Sequence, residues 1–201
     1  MAGSMNLIAQ KCFPKATRVT DRFHVQKLAY DAVQQLRIKH RWEAIELMNN
    51  STQPEVELSN QDTLKQLLAR SRYLLFKPEN KWTATQKERG DILFQLYPDI
   101  KQAYRLARKL GQIYDSTNNK GIAFTKMAQW FKEIEQSNIS SFKTVKRTFE
   151  IHYAEILNYF DNRSTNASAE SLNAKIKDFR RNLRGVRDLK FFLFRLSNIF
   201  A

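Results

Sequence analysis

Ala16-Thr17-Arg18-Val19-Thr20-Asp21-Arg22-Phe23-His24-Val25-Gln26-Lys27 decides the class of this chain, because its pattern changes at Asp21. Ala16 to Thr20 follows Pro14 and is rich in β-branched residues, which predicts a short strand ending at Asp21. From Val25 the apolar positions are Val25, Leu28, Ala29, Ala32, Val33 and Leu36. That 3.6-residue stripe predicts a helix running to about Met48. A strand feeding a helix is an α/β junction, where open sheets place their ligand-binding groups. Asp21 is thus either a ligand-binding carboxylate or a plain helix N-cap.

Outward from this junction the chain is dominated by helical periodicity. Five Gly and four Pro in 201 residues leave too few turn residues for an all-β fold. A short helix ends near Lys11, residues 49–60 read as a loop around Pro54, and 61–70 as helical. Arg72-Tyr73-Leu74-Leu75-Phe76-Lys77 is a brief apolar run closed by Pro78, read as a buried strand. Helices are then expected at 83–96, 99–114, 121–136 and 141–160, with no strand between 81 and 160. A polar turn from Asp161 to Asn166 supplies Ser and Thr N-caps for a last pair of helices, broken at Gly185.

The net charge of +14 on 201 residues, with a pI near 10.0, points to a polyanionic partner, most commonly nucleic acid. The C-terminal segment carries Lys175, Lys177, Arg180, Arg181, Arg184, Arg187, Lys190 and Arg195 against only Asp178 and Asp188. A solvated helix face usually mixes signs, so this imbalance favours a track for phosphates over a bland surface. Glu170 precedes the run in a first helical turn, where the helix dipole alone would welcome it. Its company gives it a second reading. Mg²⁺ favours a few carboxylate oxygens together with substrate phosphate, and two such ions stabilise both oxygens of a phosphoryl displacement. On this reading Asp21 and Glu170 converge on shared metal, with Asn173 and Lys177 on the same face as Glu170.

Other groups are less informative. His24, His40 and His152 lack metal-ligand spacing. His24, three residues past Asp21, either reaches the same site or makes a structural hydrogen bond. Trp42, Trp82 and Trp130 read as core or interface anchors, with base stacking as the alternative. A lone Cys12 excludes a disulfide framework and a zinc finger. No 18-residue apolar window and no signal-peptide pattern exist, so no membrane partner and a cytoplasmic location are expected. Four Asn-x-Ser/Thr matches are then coincidental. Gly-rich phosphate loops and nucleophile elbows are absent from the sequence.

Phe13-Pro14-Lys15-Ala16, Thr20-Asp21-Arg22-Phe23-His24-Val25-Gln26-Lys27, Thr165-Asn166-Ala167-Ser168-Ala169-Glu170-Ser171-Leu172-Asn173-Ala174-Lys175-Ile176-Lys177 and Arg184-Gly185-Val186-Arg187 together resemble the DDE transposases of bacterial insertion sequences, of the ISL-three family. The resemblance runs in order over nearly the whole chain. It implies an α/β, helix-dominated fold, an incomplete RNase H-like core carrying a large all-helical insertion. The core would comprise 1–80, the insertion 81–160, and the C-terminal helices of the core 161–201. It implies Asp21 as the second and Glu170 as the third acid of a catalytic and metal-binding triad. That triad would hold two Mg²⁺ or Mn²⁺ ions, with His24 as a neighbour of the site. DNA would be held by Asn173, Lys175, Lys177, Arg180, Arg181, Arg184 and Arg187.

The implied activity is metal-dependent phosphodiester hydrolysis and strand transfer at transposon ends, with DNA and a homo-oligomer or full-length transposase as partners. The triad's first acid belongs to the opening strand of the core. In relatives, text like Met1-Ala2-Gly3-Ser4-Met5 directly follows that acid. Met1 is accordingly expected to be an internal start just past it, with the zinc-binding and helix-turn-helix regions missing. The chain is then expected to be inactive alone. The rival readings are a non-catalytic DNA-binding or dimerisation fragment that inhibits transposase, and a relic without function.

Overall fold

The computed structural model describes residues 3–50, 56–163 and 167–200, and the chain divides into two compact units, 1–163 and 164–201. The first unit holds α1 (Gly3–Cys12), α2 (Arg22–Asn50), α3 (Leu64–Arg70), α4 (Ala84–Leu96), α5 (Pro98–Asp115), α6 (Lys120–Ser137), α7 (Ser140–Ile151), α8 (Tyr153–Leu157) and α9 (Tyr159–Asn162). The second holds α10 (Ala167–Asn182) and α11 (Leu189–Phe200). No strand occurs among the described residues, so the structure is helix-dominated without a sheet. The expected N-caps Ser164 to Asn166 and the loop centre at 51–55 lie outside the described residues.

The two segments read as strands take other forms. Residues 16–20 adopt no regular secondary structure, and two of their backbone groups bond into the α8–α9 region. Thr20 N–H donates to the Glu155 carbonyl at 2.9 Å, and the Asn158 amide donates to the Arg18 carbonyl at 2.9 Å. Leu74–Phe76 is a 3₁₀ turn. A strand would send the consecutive side chains of Leu74 and Leu75 to opposite faces. In the turn both enter the core, at 1% and 0% exposure. The Leu74 carbonyl accepts both the Lys77 N–H at 3.0 Å and the Trp82 indole at 2.9 Å, and the Lys77 carbonyl accepts the Tyr104 hydroxyl at 2.8 Å. A short apolar run cannot be told from a buried helical turn by its period alone.

The core of the first unit is built on α5. Pro98 opens it at a position whose missing N–H costs nothing. Ile100, Ala103, Tyr104, Leu106, Ala107, Leu110, Ile113 and Tyr114 are all buried. Helix α2 packs along it through Val25, Ala29, Ala32 and Val33, and α4 and α6 cover other sides. Trp130 on α6 is fully buried and donates to the Leu106 carbonyl at 2.9 Å. Trp82 is half-buried, whereas Trp42 is exposed. The expected single helix over 141–160 is broken at His152 and Asn158, and the breaks bring both Tyr159 and Phe160 onto Tyr114, with ring centroids 5.2 and 4.9 Å away.

One carboxylate is fully enclosed. Asp62 is bonded by Arg70, Arg89 and Asn60. Burial would push its carboxyl up, but the hydrogen bonds from Arg89 and Arg70 prevail and hold it below the ordinary range. Trp82 in turn lies flat on Gly90 of α4. A Cβ there would stand 2.4 Å from the indole ring, and that ring is fixed by its bond to Leu74. Helix propensity favours Gly→Ala by about 1 kcal/mol, whereas overpacking costs about 1–3 kcal/mol. Gly90→Ala is therefore expected to lower the urea midpoint, and Trp82→Leu in the same chain to recover part of the loss.

Candidate functional site

Asp21 is buried at 9% exposure and opens α2 as its N-cap, its Oδ1 accepting from the Phe23 N–H at 2.7 Å. Its carbonyl accepts from the Val25 N–H at 3.3 Å, which begins the helical ladder. The neighbouring Arg22 anchors this end to α5. Its guanidinium pairs with Asp115 at 2.6 Å, reaches the Gly111 carbonyl at 3.5 Å and lies 5.7 Å above the Tyr114 ring. One turn on, the Gln26 amide donates to the Ala107 carbonyl at 2.9 Å. Gly111 permits this approach, since a Cβ there would stand 3.2 Å from Gln26 Oε1.

The junction is desolvated and polar. Among the described residues, Thr20 Oγ1, Gln26 Oε1 and the Tyr114 hydroxyl are buried without a hydrogen-bond partner. Burial, with Tyr159 and the charge of Asp21, pushes the Tyr114 hydroxyl up, against an opposing pull from Arg22. Sequence reading found Asp21 but not Arg22, Gln26 or Tyr114. Arg22 and Gln26 lie within the quoted motif and carried no separate signal there. Tyr114 falls in an ordinary helical stripe ninety residues away.

His24 is exposed and meets Phe23 edge-on at 5.7 Å. Glu170 lies exposed in the first turn of α10, in the second unit, while Asp21 belongs to the first. Asn173, Lys175, Lys177, Arg180, Arg181, Arg184 and Arg187 are likewise exposed in the second unit. Four of these cations come together. Lys177, Arg180, Arg181 and Arg184, with Gly185, line a cavity of about 390 Å³ at the end of α10. Spacing of three and four residues puts Lys177, Arg180 and Arg181 on one helix face, and Arg184 follows just past the last helical residue, Asn182. Arg184 and Gly185 both take positive φ, 51° and 113°, which ends the helix and turns the chain toward α11.

Among the described residues no three His, Cys, Asp or Glu side chains are grouped so as to hold a metal ion. Asp21 offers a single carboxylate, one oxygen of which already serves the Phe23 N–H. A two-ion centre requires several carboxylate oxygens, and these residues by themselves do not compose one.

A family model described as a transposase, of the ISL-three DDE type, matches residues 1–196. The chain belongs to that family. Membership connects it with DNA transposition in general and with DNA as a partner. No curated protein and no solved structure shows a significant match. Among the described residues of this transposase-family chain, no helix is long and apolar enough to cross a membrane.

The cap and the charge of Asp21 can be separated by substitution. Asp21→Ala removes the acceptor for the Phe23 N–H and is expected to cost about 1 kcal/mol in chemical denaturation. Asp21→Asn keeps a capping oxygen and should unfold close to the parent midpoint. Equal destabilisation by both would show that the negative charge, rather than the cap, holds α2.

Proposed function

We propose that this chain supplies the DNA backbone contacts of a transposase through the basic face of α10, together with two acids, Asp21 and Glu170, of its strand-cleaving centre. The carrying observation is the cavity lined by Lys177, Arg180, Arg181 and Arg184 and by no acid. The helical part of this face, Lys177 to Asn182, spans about 9 Å. One DNA strand presents a phosphate about every 3.4 Å along its axis, so this face covers about three. Asp178 pairs with Arg181 at 3.2 Å, but both are exposed, and such pairs contribute little.

Family likeness supports Asp21 and Glu170 as acids of an RNase H-like catalytic core, Asn173, Lys175 and Arg187 as further DNA contacts, and His24 as a neighbour of Asp21. Mg²⁺ or Mn²⁺ would require oxygens beyond these two carboxylates. A second reading, a DNA-binding part without cleavage activity of its own, is favoured by the lack of any three-acid grouping among the described residues. The two readings separate on a supercoiled plasmid. Mg²⁺-dependent nicking by the purified chain, abolished by Glu170→Ala, supports the first, and an inert chain that still binds DNA supports the second.

DNA binding is expected to be tolerant of sequence and to weaken steeply with salt. For about five neutralised phosphates, log K falls against log salt with a slope of about −4 to −5. Replacing Lys177, Arg180 and Arg181 by Ala should flatten that slope by about 2 to 3 and weaken all sequences alike. A slope unchanged in the triple variant, measured by fluorescence anisotropy, would identify the face as merely solvated.

A further inference from the structure

We infer that α11 carries a stacking platform for unpaired DNA bases, formed by Phe191 and Phe194. The inference rests on the DNA-binding reading above and adds a second, chemically different contact. Phe192 anchors α11 to α10, stacked on Phe179 with centroids 5.6 Å apart and an interplanar angle of 26°. Arg195 lies 5.9 Å from the centre of that same Phe179 ring. With Phe192 committed to α10, Phe191 and Phe194 are left at 57% and 62% exposure. They are three residues apart, hence neighbours on one helix face. Asp188 caps the helix by accepting the Phe191 N–H at 3.1 Å, which fixes the first ring's backbone.

Charge complementarity selects the occupant. From Leu189 to Phe200 the helix contains Lys190 and Arg195 and no acidic residue, and Arg187 stands just before it. A second copy of the chain would bring the same cations against these. A polyanion with flat π faces matches both the rings and the charges. In a duplex those faces are hidden in the stack, so rings on a rigid helix engage bases that are unpaired. Stacking on aromatic side chains beside a cationic groove is how proteins hold single strands without reading sequence. The basic face of α10 would take backbone phosphates, while Phe191 and Phe194 take bases of a strand opened near them.

The test compares the full chain with a Phe191→Ala/Phe194→Ala variant on a mixed-sequence 20-nucleotide single strand and on the matching duplex, at one salt concentration. The variant is expected to lose about ten- to hundredfold in single-strand affinity, with duplex affinity and salt slope unchanged. A Phe191→Tyr/Phe194→Tyr variant should restore single-strand binding. Equal loss on both DNAs, or no loss on either, overturns the platform while leaving the backbone-binding reading intact. A parent chain that binds neither DNA overturns both. Sedimentation showing that the Ala variant converts a dimer to a monomer, with single-strand affinity retained, assigns the rings to a second copy and also overturns the proposal.

Discussion

The first unit depends on the close approach of α2 to α5. Both helices bury small residues, Ala29 and Ala32 in α2 and Ala103, Ala107 and Gly111 in α5. The short distance lets side chains of α2 bond carbonyls of α5, with Gln26 to Ala107 and Arg22 to Gly111. Other elements then attach to one partner or the other, α3 and α7 to α2, and α4 and α6 to α5. The pairing also fixes Asp21, because Arg22 ties the first turn of α2 to the last turn of α5 through Asp115.

The same junction shows why a carboxylate can serve structure and chemistry together. An N-cap has to sit at a helix start with its oxygen toward free N–H groups, and that electropositive setting favours the ionised carboxylate that any ligand role would use. Tyr114, buried and held protonated, adds a neutral donor to the surroundings of Asp21. Any chemistry assigned to Asp21 has to leave enough of its capping role for α2 to remain seated.

Much of the helical architecture was legible in the sequence, because the apolar stripes of α2 and α5 are local signals. Two short segments misled. Residues 16–20 have strand composition, but two of their backbone groups bond to Glu155 of α8 and to Asn158 just after it, and a partner is not a property of a segment. Leu74-Leu75 reads equally as strand or turn until the Trp82 indole takes the Leu74 carbonyl. At the candidate site, the sequence pointed to Asp21, Glu170 and the basic run as candidates. It could not reveal Tyr114, which meets α2 only through the fold, nor the breaks at His152 and Asn158, which serve distant contacts.

The seat of Trp82 on Gly90 reaches beyond packing. The indole fills the space where any other residue at 90 would place its Cβ, and its N–H also donates to the Leu74 carbonyl in the turn that follows Arg72. Positions 82 and 90 are therefore a coupled pair in descent. A lineage that acquires a side chain at 90 has to shrink the ring at 82, and with it the carbonyl at 74 loses one of its two donors and keeps the Lys77 N–H. Three positions spread over seventeen residues, with no charge and no obvious motif, are thus expected to change together or not at all.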